Sequence, residues 1–360
     1  MKRTIQLLIL IFFWITATAQ RVDLDKFSFT ASYRDLPRGG LDTSFRTFSV
    51  RFDAGPFSRM VMKNEELEDL VYIEGWKKLS YDAHIQVETK IEDLLIERTD
   101  IKQKVDPIKD KNGNEIGKKT SYYVEAVYTY AAHAKITDYR GRHIETYTIA
   151  SRSNKQTHNS STFSSEAEAK AYAIFGYLLM TNNLIKQTAD RVVNTLNNTL
   201  GYYYGFSERF VSDHLWILGS KKHPEYDAHR KAWVTFKSAM IKMSYDEPLD
   251  EVKEMMKPVI EYFTKMKKIY SSRDKSDRKM RYASCFNLAK IHYYLDDPDA
   301  AMREASELVM NGYDAKDGTH LETAATNLKQ LFRQTKFQSR HFTVRPESFE
   351  GPQATSSTHY

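Results

Sequence analysis

The chain contains a single cysteine, Cys285, in 360 residues, so it can form no intramolecular disulfide. Secreted eukaryotic chains of this size usually carry several cysteines, and their absence favours a bacterial source. The sequence neighbours Phe286 and Leu288 predict a buried thiol rather than a catalytic one, because a reactive thiol needs an electropositive, accessible setting. Without disulfides the fold depends on its core, and 360 residues are enough for two or three domains.

The short motifs of the common enzyme classes are also missing. The chain has no His-Glu-x-x-His, no Gly-x-Ser-x-Gly, no phosphate-binding loop and no dinucleotide fingerprint. Ser272 and Lys275 have the spacing of a Ser-x-x-Lys pair, but they lie in a charged segment, whereas that chemistry requires a desolvated lysine. The 11 histidines are scattered, and none forms an i, i+4 pair of metal ligands. We therefore predict no catalytic, cofactor-binding or metal-binding residues.

Charge of one sign is not concentrated anywhere. Lys and Arg number 53 against 47 Asp and Glu, which gives a formal charge of +6. Nucleic-acid-binding proteins concentrate basic residues in a patch or stripe, whereas here both signs alternate through most segments. This pattern argues against nucleic acid as a partner.

Long hydrophobic runs are missing except near the N-terminus. There, Lys2 and Arg3 precede an apolar run over residues 5–15, and the triplet Ala17-Thr18-Ala19 follows it. This order predicts a signal peptide over residues 1–19 and a mature chain that begins near Gln20 with a formal charge of +4. The run is about half the length of a membrane-spanning helix, so we expect no membrane span after cleavage, with an uncleaved anchor as the alternative.

Gln20 stands where a bacterial lipoprotein would have its lipid-bearing cysteine. The predicted location is therefore the periplasm or the extracellular space, including the periphery of the outer membrane.

The mature chain begins with period-two alternation, which predicts a β-rich domain over residues 20–201. The apolar phase slips at Glu92-Asp93, which predicts a β-bulge. Asp110 to Asn114 has the spacing of the first ligands of a calcium loop, but Glu115 and Ser121 break that pattern, so a hairpin tip is expected. Strands are predicted at residues 27–33, 45–52, 83–87, 94–96, 124–136 and 143–151, with a turn at 139–142 and a short helix at 65–72.

The period then changes to that of a helix. Ser165 and Glu168 form a capping box, and one helix of about thirty residues is expected to cover the sheet, with an interruption at residues 181–183. Its single predicted apolar stripe contains Ala167, Ala171, Ile174, Leu178, Ile185, Ala189, Val192 and Leu196. The aromatic segment 201–206 that follows either fills a domain seam or stacks on sugars.

A helical domain is predicted over residues 202–342, and a disordered tail over residues 343–360. Short loops separate five expected helices, at residues 231–243, 249–270, 280–295, 298–310 and 321–332. Asp297 and Pro298 mark the start of the fourth helix, and Asn311-Gly312 marks its end. The predicted class is thus α+β: an N-terminal antiparallel β-sheet domain with a long covering helix, followed by an all-α domain.

Part of the helical domain resembles one unit of the tetratricopeptide (TPR) family. The small residues Ala289 and Ala301 stand where the two helices of such a unit approach closely, and Asp296-Asp297 forms the turn between them. His292 occupies a position where the family favours tyrosine. The resemblance implies that repeat packing involves Leu288, Ala289, His292, Ala301, Ala305 and Leu308. It also implies a protein-binding scaffold, with a plain helical bundle as the alternative.

These observations predict an exported, non-enzymatic cell-envelope protein whose TPR-like domain binds another protein. Two alternatives stay open at this point. One is a secreted hydrolase or glycan-binding enzyme with a site assembled from distant residues, and the other is a β-sheet platform that inserts into a larger envelope machine. The identity of the partner and the oligomeric state are not indicated by the sequence.

Overall fold

A computed structural model describes residues 22–352 and confirms the α+β class. The predicted signal peptide lies outside the described residues. Ten strands are present in residues 22–352: β1 Leu24–Arg34, β2 Thr47–Ala54, β3 Lys77–Lys78, β4 Ile85–Ile91, β5 Leu95–Lys109, β6 Glu115–Thr129, β7 Ala132–Asp138, β8 His143–Ala150, β9 Gln156–Asn159 and β10 Glu208–Leu218. The nine α-helices of the same part are α1 Pro56–Val61, α2 Asn64–Asp69, α3 Glu166–Phe175, α4 Tyr177–Tyr204, α5 Tyr226–Lys242, α6 Asp250–Ile269, α7 Lys275–Tyr294, α8 Pro298–Asn311 and α9 Ala315–Thr335.

The chain forms two compact units, and both are discontinuous in sequence. The sheet unit comprises residues 41–206 and the segment from residue 345, whereas the helical unit comprises residues up to 40 together with 207–344. The sequence placed the boundary at Gly201 instead. The difference arises because β1 pairs along its whole length with β10, from Leu24 opposite Leu218 to Arg34 opposite Glu208. The predicted all-α domain therefore contains a two-stranded sheet, built from a strand near the start of the mature chain and a strand that follows α4.

The sheet unit contains a five-stranded sheet in the order β3-β2-β4-β7-β8 and a three-stranded sheet in the order β5-β6-β9. Most pairings are antiparallel, as predicted, but β2 lies parallel to both β3 and β4. The crossover from β2 to β4 passes through α1 and α2. A parallel pair needs such a connection, whereas an antiparallel pair can be joined by a tight turn.

Two long chain segments form one hairpin that contributes to both sheets. Its tip is at Asp110, which donates its backbone N–H to the carbonyl of Asn114 (2.9 Å) while its carboxylate accepts two backbone N–H groups of the turn. The predicted continuous strand 124–136 is divided between β6 and β7, and the facing segment is divided between β4 and β5. Three residues, 92–94, lie opposite two, 130–131, so the extra residue predicted as a bulge falls at the break between sheets.

The predicted covering helix is two helices that meet at Gly176. Ser165 caps α3 as expected, since its hydroxyl accepts the backbone N–H of Glu168 (3.2 Å). The break lies at Gly176 because glycine has the lowest helix propensity after proline. The predicted interruption at residues 181–183 is wrong, since these residues lie inside α4. Near the C-terminal end of α4, the Asn197 amide accepts the N–H of Tyr72 (3.1 Å) and donates to the carbonyl of Leu70 (3.0 Å).

In the helical unit, α7 covers the free edge of β10. The Asn287 side chain accepts the backbone N–H of Trp216 (2.9 Å) and donates to its carbonyl (2.8 Å). One turn later, the ammonium of Lys290 donates to the carbonyl of His214 (3.1 Å) and pairs with Asp213. An uncovered strand edge is prone to pair with other chains, so these two side chains satisfy the edge internally.

The core of the helical unit lies between the two-stranded sheet and helices α5 to α7. Phe29 of β1 packs edge-on against Phe236 of α5, with ring centroids 4.8 Å apart, and against Tyr294 of α7 at 5.5 Å. Other buried members of this cluster are Ala31, Leu215, Ile217, Trp233, Met240, Met256, Val259, Phe263, Leu288 and Ile291. Among the described residues, none of the helices has the length and hydrophobicity required to cross a bilayer.

The predicted disordered tail is ordered as far as the structure describes it. The hydroxyl of Thr343 donates to the carbonyl of Asp246 (2.7 Å) in the helical unit. In the sheet unit, the ammonium of Lys77 donates to the carbonyls of Glu347 (3.0 Å) and Phe349 (2.9 Å). Composition alone suggested disorder, but this segment satisfies its polar groups against the two units. Residues 353–360 of the predicted tail lie outside the described part.

Acid is expected to destabilise the helical unit through His229. This imidazole is fully buried, and its Nδ1 accepts the backbone N–H of Leu218 (3.3 Å). Burial lowers the pKa of His229 to about 3, from an ordinary value near 6.5. As the pH falls, the unfolded chain therefore binds a proton at His229 before the folded chain does. The contribution of the neutral imidazole to the free energy of unfolding is complete above pH 6.5. It is lost as the pH falls towards 3, at about 1.4 kcal/mol per pH unit.

Chemical denaturation between pH 7.5 and pH 4 measures this contribution. His229→Gln has a side chain that does not titrate and should remove about 1.4 kcal/mol per pH unit from the acid-side slope. His320, which is exposed, provides the control, because His320→Gln should leave the slope unchanged. Equal slopes for wild type and His229→Gln would contradict the assignment.

Candidate functional site

Helix α8 begins and ends at the residues that the sequence indicates, whereas α7 begins at Lys275, five residues before its predicted start. Asp274 caps α7 by accepting the N–H of Asp277 (2.9 Å), and Asp297 caps α8 by accepting the N–H of Ala300 (2.9 Å). Pro298 is the first residue of α8, and Gly312 follows its end with a φ of 63°, a conformation that glycine adopts without strain. The start and stop predicted for this helix are confirmed.

The residues predicted to pack the repeat are mostly buried. Leu288, Ala289, Ala301, Ala305 and Leu308 are each at most 1% exposed, and the His292 side chain is 17% exposed. Leu288 belongs to the main core of the helical unit, whereas Leu308 packs with Tyr282, Cys285 and Phe286. Helices α8 and α9 also approach each other closely, because a Cβ at Gly318 of α9 would lie 3.0 Å from the Ala305 carbonyl oxygen of α8. The repeat type itself stays a prediction.

The turn between α7 and α8 contains a buried ion pair. Asp296 has a left-handed backbone (φ 59°), and its carboxylate accepts Nε of Arg340 (2.7 Å), the backbone N–H of Arg340 (2.6 Å) and the Ser339 hydroxyl (2.9 Å). The guanidinium lies between the rings of Tyr33 and Tyr293, at 4.2 and 4.7 Å from their centroids. Desolvation lowers the pKa of Arg340, but Asp296 and the two tyrosines raise it overall, so the guanidinium stays charged.

Beside this ion pair lies a groove of the helical unit with a volume of about 930 Å³. We call it the α6–α9 groove. Helix α6 contributes Lys253 and Ile260, the α7–α8 turn contributes residues from His292 to Asp299, and the end of α9 with the following segment contributes the rest. The lining residues of this last part are Lys329, Phe332, Arg333, Lys336, Phe337 and Gln338.

The α6–α9 groove combines apolar surface with charges of both signs. Burial lowers the pKa of His292 despite the Asp297 carboxylate 3.8 Å away, so this imidazole is neutral at pH 7. Lys329 pairs with Asp299 and lowers the pKa of that carboxyl. With Asp296 neutralised inside the protein by Arg340, the cations of the lining outnumber the acids that remain, Asp297 and Asp299.

Cys285 is buried, as predicted, and its setting does not support chemistry at sulfur. Burial raises the pKa of this thiol to about 12, so it is protonated at neutral pH and a poor nucleophile. Its sulfur and the carboxylates of Glu304 and Glu307 lie within 4.8 Å of one another, an arrangement that could hold a metal ion. The ammonium of Lys267, however, lies 2.6 Å from Glu304 and 2.8 Å from Glu307 and occupies the position of such a cation.

Two arginines near this cysteine bind the ends of helices. Arg281 donates to the carbonyls of Tyr270 and Ser272 after α6 (2.6 Å to Ser272), and Arg278 donates to Asn311 (3.2 Å) and Gly312 after α8. Cations at helix C-termini satisfy unpaired carbonyls and the helix dipole. The Ser272 hydroxyl donates to Asp274, so this exposed turn has a structural role rather than that of a Ser-x-x-Lys site.

The aromatic segment at the end of α4 is not an exposed platform. Tyr204 and Phe206 are 1% exposed, and the Tyr204 hydroxyl lies 3.0 Å from that of Tyr147. The Tyr204 carbonyl accepts the indole N–H of Trp76 (2.8 Å). These residues fill the interior of the sheet unit, which leaves Tyr202 as the largely exposed ring of the segment.

Comparison of the chain with models of known protein families and with curated protein sequences gave no match. The function is therefore inferred from the geometry of the α6–α9 groove. Sequence reasoning singled out His292 for repeat packing and Asp297 as the start of a helix, but missed Lys253, Lys329, Arg333 and Phe337 as lining residues. The last three recur every fourth residue, yet nothing in their spacing indicates that they lie beside the α7–α8 turn and Lys253 of α6.

Proposed function

We propose that the protein is a non-catalytic scaffold of the bacterial cell envelope that binds another protein through the α6–α9 groove. The observation that carries this proposal is the composition of the groove lining. Ile260, Phe332 and Phe337 offer apolar contact, while ionic side chains of both signs surround them. Interfaces that bind and release proteins combine an apolar centre with a charged rim.

The dimensions of the groove fit a segment of a partner chain. Its volume of about 930 Å³ is at the upper end of the range for drug-sized ligands, and it is open to solvent. The excess of lysine and arginine favours a partner segment that presents carboxylates next to a large apolar side chain. Two packed helices and a capped turn form most of the walls, so little conformational entropy is lost when the partner binds.

The resemblance of α7–α8 to a tetratricopeptide unit supports the same proposal, because such units commonly bind proteins. The proposed location outside the cytoplasm depends on the N-terminal residues 1–19 and on the single cysteine. A partner is accordingly expected among the proteins of the cell envelope.

Charge reversal in the groove is expected to abolish capture of the partner. Lys253→Glu with Arg333→Glu places two carboxylates among the lining residues and should reduce capture from the envelope fraction at least about tenfold, since like charges across an interface are strongly unfavourable. The measurement is quantitative mass spectrometry of proteins retained by the immobilised chain from Gln20 to Tyr360.

The matched control is Lys237→Glu with Lys265→Glu, which makes the same change of charge at exposed positions on α5 and α6 that do not line the groove. A protein retained by wild type and by the control, and lost with the groove variant, supports the proposal. If all three chains retain the same proteins, the groove is not the binding site.

A further inference from the structure

The junction of α3 and α4 in the sheet unit carries an apolar stripe that faces outward. It consists of Ala171, Ile174, Phe175, Leu178 and Leu179, and we call it the outward stripe. These residues follow the spacing i, i+3, i+4, i+7, i+8 of one helix face. The four large side chains are 70%, 87%, 70% and 61% exposed, in sequence order.

The break at Gly176 does not disrupt this face. Gly176 keeps a right-handed helical conformation, with φ −87° and ψ −2°. Its backbone N–H donates to Tyr172 (2.8 Å), and its carbonyl accepts the N–H of Met180 (2.9 Å), so hydrogen bonds four residues apart continue on both sides. The side chains before and after the break therefore stay on a common face.

The same two helices already bury an opposite face inside the sheet unit. Ala169, Met180 and Leu184 are at most 1% exposed. The stripe predicted from the sequence thus divides: Ile185, Ala189, Val192 and Leu196 are buried, whereas Ile174 and Leu178 point outward. A helix that is apolar on both faces is normally buried on both, so the outward stripe requires a cover that residues 22–352 of the same chain do not supply.

The charge around the outward stripe favours a second copy of the chain as that cover. Residues 171–185 contain no charged side chain, in a sequence that is 28% charged. Glu166 and Lys170, which precede the stripe, pair with each other at 2.7 Å. A helix that binds an anionic membrane surface carries an excess of lysine and arginine on its polar face, which is not seen here. A neutral apolar patch can contact its own copy about a twofold axis without opposing like charges.

The exposed area of the outward stripe is close to the area that one chain buries in a stable dimer. With Tyr177, which is 43% exposed, its large side chains leave apolar area on the order of 700 Å² in water, above the 300–600 Å² of the largest patch on a typical monomer. A standard stable interface buries about 800 Å² on each partner. We propose that two copies of the chain pair through their outward stripes to form a symmetric dimer. This interface lies in the sheet unit and is independent of the α6–α9 groove.

The test is the mass of the full chain in solution, measured by light scattering across a series of concentrations. Wild type is expected at twice the chain mass. Leu178→Glu should weaken dimerisation at least about tenfold, because an unpaired carboxylate would be buried in an apolar interface. Ile241→Glu is the matched control, since Ile241 is 76% exposed on α5 of the helical unit, and this variant should dimerise like wild type.

Cysteine cross-linking provides a second measurement that does not depend on a disruptive variant. The native Cys285 is buried, so a new thiol introduced by Leu178→Cys is the accessible one. Oxidation should link two copies of Leu178→Cys and leave Ile241→Cys unlinked. A monomeric wild type overturns the proposal, as does a dimer that Leu178→Glu leaves intact. Binding of a monomer to neutral phosphatidylcholine vesicles, lost in Leu178→Glu, would also overturn it and would assign the stripe to a lipid surface.

Discussion

Replacing Arg340 with methionine is expected to lower the free energy of unfolding of the helical unit by about 3–5 kcal/mol. The side chains of Arg340 and Asp296 are 3% and 0% exposed, and they are 2.7 Å apart. Methionine has a similar length but leaves the Asp296 carboxylate buried without its cation. Removing one partner of a buried pair is costly because the other charge stays in a medium that solvates it poorly.

Tryptophan fluorescence can report this unit alone. In the chain from Gln20, Trp216 and Trp233 belong to the helical unit and Trp76 to the sheet unit. Urea denaturation of Arg340→Met in a Trp76→Phe background therefore measures the helical unit. Adding Asp296→Asn should restore more than half of the loss, since asparagine is neutral and also tolerates the left-handed backbone at this position.

A surface pair provides the control for this experiment. Lys329 and Asp299 form an ion pair with side chains 30% and 59% exposed. Lys329→Met should change the stability by less than about 1 kcal/mol, because exposed pairs are screened by water and salt. If the cost of Arg340→Met is as small as that of Lys329→Met, the pair of Arg340 with Asp296 does not stabilise the helical unit as a buried ion pair.

Predictions based on short-range chemistry were correct. Asp297, Pro298 and Gly312 fixed the limits of α8, and the polar segment Asp110 to Asn114 fixed the tip of the β5–β6 hairpin. In each case the deciding interactions occur within a few residues, where side-chain and backbone preferences act directly. Most of the predicted helices of the helical unit were therefore recovered, with ends shifted by a few residues.

Features that depend on distant contacts were missed. The strand β10 was not predicted, because Asp213 interrupts its apolar alternation. The side chains of Lys290 and Tyr294 (2.9 Å), distant in sequence, stabilise that carboxylate. The tail 343–360 was assigned to disorder because its composition is polar, and nothing near Glu347 and Phe349 in sequence indicates that Lys77 binds their carbonyls. In the same way, nothing near Arg340 indicates that Asp296, 44 residues earlier, pairs with it. The walls of the α6–α9 groove were missed for the same reason.

The strand break at residues 130–131 shows a further limit of periodicity. The apolar alternation continues across this break from Val124 to Ile136. Val124 and Ile136 are both buried. The hydrogen bonding nevertheless passes from one sheet to another, because β6 pairs with β5 and β9, whereas β7 pairs with β4 and β8. Periodicity reports which side of a strand is buried, and it carries no information about which strand is its neighbour.

The second large effect is expected at Phe29, at the opposite end of the mature chain from most of the helical unit. Phe29→Ala should destabilise that unit by about 3–5 kcal/mol, the usual cost of removing a buried aromatic ring. The ring is 5% exposed and contacts α5 and α7. Phe210→Ala is the matched control, because this ring lies on β10 of the same two-stranded sheet and is 66% exposed, so its loss should cost less than about 1 kcal/mol.

The same reasoning predicts the behaviour of fragments. Residues 207–344 without β1 expose the backbone of β10 and one wall of the core formed by Phe29 and Ala31. We expect this fragment to lack a cooperative unfolding transition. A peptide of residues 22–40, added in excess, should restore the transition, because β1 supplies both the hydrogen bonds and the apolar surface that the fragment lacks. Cooperative unfolding of the fragment alone, at the midpoint of the intact chain, would show instead that the helices form an independent domain. The sequence-based boundary at Gly201 would then describe the folding unit better than the pairing of β1 with β10 does.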